Sequence, residues 1–312
     1  MSGESAQPIV SLICPCYNEE EVINVFLEEI SAVMDAIGKS YEIVFVNDGS
    51  TDNTLTKLLA AKKRYGNIKI INLSRNFGKE AALTAGLDRA EGKVMIPIDA
   101  DLQDPPELIK ELIAHWEKGS DVVLAKRTDR SEESFAKRTS AKLFYRLNNK
   151  TSKVCIPENV GDYRLMSRKV VDALKQLPES ERFMKGLFAW VGFKTSVVEY
   201  KREARRAGKT SYSGWKLWNL AVEGITSFST FPLKIWLYMG FVISLLSFLY
   251  GTMIVLKTIL FGVDVPGYAS MMTIILFLGG IQLIGIGVLG EYVGRIYMES
   301  KRRPTYIVEA EY

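Results

Sequence analysis

The sequence predicts an α/β domain built on a mostly parallel sheet, followed by two membrane-spanning helices. In the first two thirds of the 312-residue chain, short apolar runs that end in turn residues alternate with longer helical patterns. Such alternation is typical of a parallel sheet with helices on both faces. Two long uncharged runs follow at residues 235–256 and 271–289. Each is long enough to cross the hydrocarbon core of a bilayer, which is about 30 Å thick.

The apolar runs of the first region predict seven strands, at residues 9–14, 42–46, 68–72, 94–98, 122–125, 163–166 and 195–200. The helical patterns predict six helices, at residues 20–37, 51–65, 79–89, 106–118, 135–148 and 169–176. Glycines follow several of these helices, as is common where a helix ends. Residues 213–228 then place tryptophans at helical spacing, which predicts an amphipathic helix lying in the membrane interface.

Four parts follow from this pattern: an α/β domain (1–212), an interfacial helix (213–230), a two-helix transmembrane domain (231–297) and a C-terminal tail (298–312). Lysines and arginines precede the first span and follow the second, whereas the connecting loop 262–270 has none. The positive-inside rule therefore places both termini and the α/β domain in the cytoplasm. Three cysteines are too few for a disulfide framework, which agrees with a reducing compartment.

The composition and charge of the chain limit the kinds of active site and binding partner that it can have. The single histidine, His115, excludes a His-rich zinc site and disfavours a Ser-His-Asp triad. Two basic segments, 126–153 and 201–216, carry net charges of +6 and +5, although the whole chain is only +4. They indicate an anionic partner such as a phosphate, a lipid headgroup or a nucleic acid. A GxGxxG match at 285–290 lies inside an apolar run, so close helix contact is predicted there rather than dinucleotide binding.

Polar side chains follow several predicted strands, at the edge where ligands of parallel sheets bind. Asp99 and Asp101 come directly after one strand, and Gln103 adds a neutral oxygen, a ligand set that suits Mg²⁺ or Mn²⁺ bound to substrate phosphates. Asp48 ends an earlier strand and could accept hydrogen bonds from a base or ribose. Two cations after the third strand could neutralise phosphate oxygens: Arg75 and Lys79.

Taken together, the motifs resemble those of a known family. They are PCYNEE, VNDGSTD, LSRNFGKEAALTAG, IDADLQDPPE, GDYRLM, RFMKGLFAWVG and GEYVGRIY, together with the two apolar runs. The chain resembles the inverting glycosyltransferases of family 2, which have the GT-A fold, and more narrowly the polyisoprenyl-phosphate glycosyltransferases, especially those that glucosylate bactoprenol (undecaprenyl phosphate). The resemblance covers nearly the whole chain. One departure is Asn47, where the family often has Asp, which leaves Asp48 as the expected nucleobase contact.

The resemblance implies roles for residues that match the motifs. The nucleoside would be held by Pro15, Tyr17, Glu19 and Asp48. Asp99 would face the ribose or the metal, and Asp101 and Gln103 would bind the metal that bridges the diphosphate. Asp162 matches the acidic residue usually proposed as the catalytic base, although a dianionic phosphate acceptor needs little proton abstraction. The acceptor phosphate would be met by Arg127, Lys137, Arg138 and Arg205.

The expected reaction is transfer of a sugar from a UDP-sugar to undecaprenyl phosphate at the cytoplasmic face of a bacterial inner membrane. Glucose is the favoured sugar. The expected protein is a homo-oligomer, with a tetramer possible. Two alternatives remain for the donor: a UDP-aminosugar, if the protein is an aminosugar transferase, and GDP-mannose, if it is similar to dolichyl-phosphate mannose synthase. A processive synthase would carry a Q-x-x-R-W motif, which this sequence lacks. A non-enzymatic lipid-binding subunit leaves the carboxylates unexplained, and the basic segments lie too close to the spans to favour nucleic acid.

Overall fold

The computed structural model describes residues 7–128, 157, 159–177, 179, 182–201, 231–261 and 267–312. Three predictions lie outside these residues: the helix at 135–148, the interfacial helix at 213–230, and the acceptor contacts Lys137, Arg138 and Arg205. The described elements are, in chain order, β1 (Val10–Cys16), α1 (Ile23–Ile37), β2 (Tyr41–Asn47), α2 (Thr54–Arg64), β3 (Ile68–Leu73), α3 (Lys79–Arg89), β4 (Val94–Pro97), α4 (Leu108–Glu117), β5 (Val122–Arg127), β6 (Val160–Ser167), α5 (Arg168–Lys175), α6 (Met184–Trp190), β7 (Thr195–Tyr200), α7 (Phe231–Phe261), α8 (Tyr268–Ser300) and β8 (Val308–Glu311).

The eight strands form one mixed, mostly parallel sheet in the order β7-β5-β6-β4-β1-β2-β3-β8. Strands β1, β2, β3 and β4 run parallel to one another, as do β5 and β7. Strand β6 is antiparallel to both β4 and β5, and β8 is antiparallel to β3. The predicted α/β class is therefore confirmed. Because β6 runs backwards, its first residues lie at the same edge as the last residues of β1 to β4.

All seven predicted strands form, and five of the six predicted helices lie in the described residues within three residues of their expected starts. Two described elements were not predicted. They are the short helix α6 and the strand β8, which lies in the segment expected to be only a tail. Helix α1 begins at Ile23 rather than residue 20 because residues 18–20 bond to the loop after β2 instead.

Helices pack on both faces of the sheet. On one face, α1 buries apolar residues at helical spacing against β1 and β2: Ile23, Phe26, Leu27, Ile30 and Met34. On the other face, α3 approaches β1 so closely that a Cβ at Gly86 would clash with the side chain of Ile13. The small residues of α3 thus allow this helix to lie flat on the sheet. Its first residue, Lys79, is thereby fixed at the edge where the parallel strands end.

The helices α7 and α8 contain the two predicted membrane spans, and in the described residues one of the two is long and apolar enough to cross a membrane. Within α8, Phe277–Ser300 is long and apolar enough to cross a membrane, with a mean hydropathy of 1.4, and its most apolar stretch is 0% buried. The apolar part of α7, Tyr238–Ile254, is shorter. Gly285 of α8 faces the ring of Trp236, 3.2 Å from where a Cβ would lie, which agrees with the predicted close helix contact. Exposed apolar helices of this kind favour membrane association.

Candidate active site

The loops that follow β1, β2 and β3 are tied together at one edge of the sheet. Asp48, only 3% exposed, directly follows β2. Its two carboxylate oxygens accept the backbone N–H groups of Phe77 (2.7 Å) and Gly78 (2.9 Å). Burial raises the pKa of Asp48, while these two hydrogen bonds and the charge of Arg75 oppose the rise. Asp48 therefore anchors the loop between β3 and α3.

The β1 loop is fixed against the β2 loop in a similar way. The side-chain oxygen of Asn18 accepts the N–H of Thr51 at 2.8 Å, and the N–H of Glu19 donates to the Thr54 hydroxyl at 2.8 Å. Tyr17 lies beside them with 47% of its surface exposed. The predicted nucleoside contacts Pro15, Tyr17, Glu19 and Asp48 thus come from neighbouring strand ends.

Glycine is required where the β2 loop meets the β3 loop. Gly49 has φ +62°, and a Cβ there would clash with the backbone of Arg75 and Asn76. The guanidinium of Arg75 lies over the ring of Phe77 at 4.0 Å and donates to the carbonyl of Asn76 at 2.9 Å. The Arg75 side chain is thus held by its own loop, next to the residues that Asp48 anchors.

A second group of side chains carries opposite charges at the same edge. The Lys79 ammonium lies 2.7 Å from Asp99 Oδ1 and 3.2 Å from Asp162 Oδ2. Asp99 follows β4, whereas Asp162 comes from β6, so the antiparallel strand brings together carboxylates that are distant in sequence. The other Asp162 oxygen is buried and accepts no hydrogen bond from the described residues. The described residues thus leave the hydrogen-bonding capacity of this oxygen unused.

Asp162 is a carboxylate at neutral pH. Burial opposes its ionisation, but Lys79, Lys185 and Arg164 outweigh burial and lower the pKa of Asp162. Glu80, next to Lys79, behaves in the opposite way, because burial and the charge of Asp162 raise the pKa of Glu80 to about 7. Glu80 also accepts the N–H of Met184, the first residue of α6, at 3.1 Å. Glu80 thereby ties α6, which carries Lys185, to the charged group.

The predicted metal ligands lie in the loop after β4. Leu102 has φ +52°, and Asp101 Oδ1 accepts the N–H of Gln103 at 3.2 Å. The described residues contain no group of three or more His, Cys, Asp or Glu side chains that could hold a metal. The predicted set has only two carboxylates and one amide oxygen, all hard donors that fit Mg²⁺ or Mn²⁺. The ammonium of Lys79 already pairs with Asp99, so a cation at Asp99 would compete with Lys79.

Arg127 is the predicted acceptor contact that the structure describes. Its Nε donates to the Tyr200 hydroxyl at 3.1 Å, and its Nη2 lies 3.6 Å from Asp104. Tyr200 in turn donates to Asp104 at 2.5 Å. Burial opposes the charge of Arg127, but Asp104 and Tyr200 outweigh it and raise the pKa of Arg127. Arg127 is therefore held close to the metal-ligand loop with its charge partly balanced.

Sequence reasoning missed several residues of this edge. Asp104 is buried and lies within the IDADLQDPPE motif, so its position after the carboxylate pair was an available signal. Glu80 and Lys185 also lie within quoted motifs, LSRNFGKEAALTAG and RFMKGLFAWVG, so the same signal was available for them. The fold brings them near Asp162: α3 places Glu80 beside Lys79, which pairs with Asp162, and Glu80 accepts the N–H of Met184, the neighbour of Lys185.

Comparisons with known proteins match most of the chain. Residues 11–175 match the family model Glycosyl transferase family 2, and residues 231–296 match GtrB C-terminal hairpin. The bactoprenol glucosyl transferase of Shigella phage SfV is 54% identical over 97% of this chain and 98% of that protein. The prophage bactoprenol glucosyl transferase homolog of Escherichia coli (strain K12) is 54% identical over 96% of this chain and 98% of that protein.

An uncharacterized glycosyltransferase of Synechocystis sp. is also 54% identical, over 96% of this chain and 94% of that protein. Among solved structures, the mannosyltransferase PcManGT from Pyrobaculum calidifontis, in complex with GDP-Man and Mn²⁺, is 18% identical over 70% of this chain and 61% of that chain, with a TM-score of 0.49. A similarity of that size supports no statement about the function of this chain.

Proposed function

The chain belongs to glycosyl transferase family 2, and from this membership we propose that it transfers glucose from UDP-glucose to the phosphate of undecaprenyl phosphate (bactoprenol). One observation carries the proposal: relatives named bactoprenol glucosyl transferases match the α/β domain and the hairpin together, at 54% identity over nearly the full length of both chains. A water-soluble donor and a lipid-borne acceptor require both parts. The reaction is proposed to occur at the cytoplasmic face of a bacterial inner membrane.

The donor is proposed to lie on the edge formed by β1, β2 and β3. Its nucleoside would contact Pro15, Tyr17 and Glu19 beside the Asp48-anchored loop, and its phosphates would meet Arg75 and Lys79. The hydrogen bonds that tie these loops together support the proposal, because a preformed site loses less entropy on binding.

A divalent cation is proposed to be held by Asp101 and Gln103, with Asp99 beside the ribose or the cation. When bound, Mg²⁺ or Mn²⁺ would neutralise charge that develops on the leaving diphosphate. The hard oxygen donors of these three side chains support this assignment. Lys79 would then exchange its contact with Asp99 for the donor phosphates, and its link to Asp162 at 3.2 Å would keep it in place.

In the proposed step, an oxygen of the acceptor phosphate attacks the anomeric carbon of glucose and the bond from that carbon to UDP breaks. The bonding electrons leave with UDP, and the configuration at the anomeric carbon inverts. The second pKa of a phosphate monoester is about 6, so the acceptor is largely dianionic at pH 7 and needs little deprotonation. The lowered pKa of Asp162 also suits it poorly to act as a base. Its proposed role is to orient Lys79 and to accept a hydrogen bond from a sugar hydroxyl.

The acceptor phosphate is proposed to meet Arg127 together with Lys137, Arg138 and Arg205. The domain boundaries at 212, 230 and 297 and a homo-oligomeric assembly, such as a tetramer, are part of the same proposal. Both termini are proposed to be cytoplasmic. The pairing of β8 with β3 supports this topology, because the chain that leaves α8 returns to the same sheet that precedes α7.

Radiolabelled donors test this function directly. Purified full-length protein in vesicles containing undecaprenyl phosphate should move label from UDP-glucose into the lipid fraction, faster than from UDP-N-acetylglucosamine or GDP-mannose. Asp101→Asn, purified in parallel, serves as the inactive control. Transfer from GDP-mannose alone, or no lipid-linked product from any donor, would refute the proposed reaction.

A further inference from the structure

The C-terminal segment, residues 301–312, joins the end of α8 to the edge of the catalytic sheet. Its strand β8 pairs with β3 in the register Ile71–Glu311, Asn72–Ala310 and Leu73–Val308. Tyr312 exchanges two backbone hydrogen bonds of 2.9 Å with Ile70, and the N–H of Ser74 donates to the carbonyl of Ile307 at 3.0 Å. The segment therefore forms the edge strand of the sheet and is not a free tail after α8.

Side chains add to this backbone pairing. The Tyr306 hydroxyl donates to Asp88 at 2.8 Å, and its ring packs against the buried core on that face. Arg89 donates to Glu311 at 2.7 Å, although both side chains are about two-fifths exposed, at 40% and 43%, and such a pair contributes little. Tyr306 is therefore the stronger of the two attachments.

The segment is also connected to the donor side of the site. Asn72 donates to Glu309 at 2.7 Å and accepts from Asn47 at 2.7 Å, and Asn47 directly precedes Asp48. The Ser74 contact lies at the start of the loop that Asp48 anchors. The segment thus bonds to the same strand ends that form the proposed donor site.

The other end of the segment lies where α8 stops. Helix α8 ends at Ser300, and Lys301 lies over the ring of Tyr297 at 4.1 Å. Lys301, Arg302 and Arg303 are all exposed, a basic cluster that suits lipid headgroups at the cytoplasmic surface. Between Ser300 and β8 lie only residues 301–307. At 3.3–3.6 Å per residue, these seven residues can span at most about 25 Å.

From this geometry we propose that the C-terminal segment is a second tether, which fixes the donor edge of the catalytic sheet at a set distance from the membrane hairpin. The first tether is the chain between β7 and α7, residues 201–230. With only one tether, the sheet could turn away from the bilayer. With both, the effective concentration of the donor site at the lipid phosphate is raised. This inference rests on the proposed function, since it requires an acceptor held in the membrane.

The test lengthens the tether without removing it. A flexible Gly/Ser insertion of 12 residues after Arg303 keeps β8 intact and adds a root-mean-square length of about 19 Å. The matched control places the same insertion directly after Gly38, an exposed residue that ends α1 at the opposite end of the strands. Three quantities are measured for each protein: UDP affinity by calorimetry, transfer to a short water-soluble prenyl phosphate, and transfer to undecaprenyl phosphate in vesicles.

The tether insertion should lower kcat/KM for undecaprenyl phosphate about 10-fold or more, while UDP affinity and transfer to the soluble acceptor stay within about twofold of wild type. The control insertion should change none of the three. Unchanged transfer to the membrane-held acceptor would overturn the inference. Equal losses of UDP binding and of transfer to both acceptors would also overturn it, because the segment would then act only on folding.

Two substitutions test the same proposal if the insertion variant does not fold. Tyr306→Ala removes the hydrogen bond and the packing of the segment, and should selectively lower transfer to undecaprenyl phosphate. Tyr306→Phe keeps the packing and should restore most of that transfer. If Tyr306→Ala impairs both acceptors equally, the inference fails. Wild-type protein that glucosylates neither prenyl phosphate would instead refute the proposed function, and the tether with it.

Discussion

The two halves of the active-site edge are held together by different forces. The half proposed to bind the donor, here called the donor half, is formed by the loops after β1, β2 and β3. It is tied by hydrogen bonds between side chains and backbone, with buried Asp48 at its centre. The carboxylate half, formed by Asp99, Asp162 and the residues around them, is held by opposite charges that meet at Lys79. The donor half is thus complete without a ligand. The carboxylate half contains charges that a cation and a phosphate can exchange for new partners.

The largest effect is expected at the metal-ligand loop of the carboxylate half. Asp101→Asn, or an excess of chelator with wild-type protein, should lower transfer about 100-fold or more, because the charge on the leaving diphosphate would lose its compensation. Added Mg²⁺ or Mn²⁺ should restore the chelated wild type and leave the variant inactive. Asp35→Asn, an exposed position on α1, is the matched control. Full activity in excess chelator would show that transfer does not require a divalent cation.

The next effect concerns the charge balance of the same half. Lys79→Met leaves Asp99 and Asp162 without their shared cation, and should lower kcat about 10- to 100-fold with the fold intact. Lys79→Arg keeps the charge and should retain more activity than Lys79→Met. Equal activity of the two variants would show that the charge of Lys79 is unimportant. Kinetics at saturating donor, with circular dichroism as a check on folding, distinguish these outcomes.

Substitutions in the donor half should change the affinity for UDP. Asp48→Ala frees the loop that carries Phe77 and Gly78, and should weaken UDP binding about 10-fold or more because two hydrogen bonds to a carboxylate are lost. Asp48→Asn keeps one acceptor oxygen and should lose less. Calorimetric titration with UDP measures both variants. An unchanged UDP affinity for Asp48→Ala would show that this loop does not depend on its anchor.

The last effect is on stability and leaves activity unchanged: it is a pH dependence at Glu80. Its pKa rises from 4.5 to about 7 in the folded protein, so the folded state keeps a proton that the unfolded chain releases. Stability is therefore lost as pH rises from about 4.5 to 7, by at most about 3 kcal/mol. Glu80→Gln stays neutral, so its melting temperature should gain on that of wild type between pH 5 and pH 8. A constant difference across this range would contradict the raised pKa.

Local patterns predicted more of the donor half than of the carboxylate half. Strands β1 to β4 and helix α3 were predictable because their apolar residues recur with the period of a strand or a helix. Their shared edge was predictable because the ends of parallel strands meet on one side of a sheet. Asp48 of the donor half, and Asp99 and Asp101 of the carboxylate half, were singled out for that reason. The pairing of Lys79 with Asp162 was not predictable, since it depends on β6 running antiparallel between β4 and β5.

The strand β8 shows the same limit. Residues 305–312 alternate apolar and polar side chains over part of their length, which is typical of a half-buried strand. Nothing in that pattern says which strand it pairs with. Its partner is β3 because that edge is open, and because Tyr306 and Glu309 find Asp88 and Asn72 there. Long-range pairings of this kind depend on the whole fold.

The most direct test of the division between the two halves compares Asp48→Ala with Asp162→Asn. UDP affinity is measured by calorimetry, and transfer of glucose to undecaprenyl phosphate is measured at saturating donor. Asp48→Ala should lose UDP affinity about 10-fold or more. Asp162→Asn should bind UDP within about twofold of wild type and transfer glucose at least about 100-fold more slowly. If Asp162→Asn lost UDP affinity as severely as Asp48→Ala, the two halves would not have separate roles in donor binding and sugar transfer.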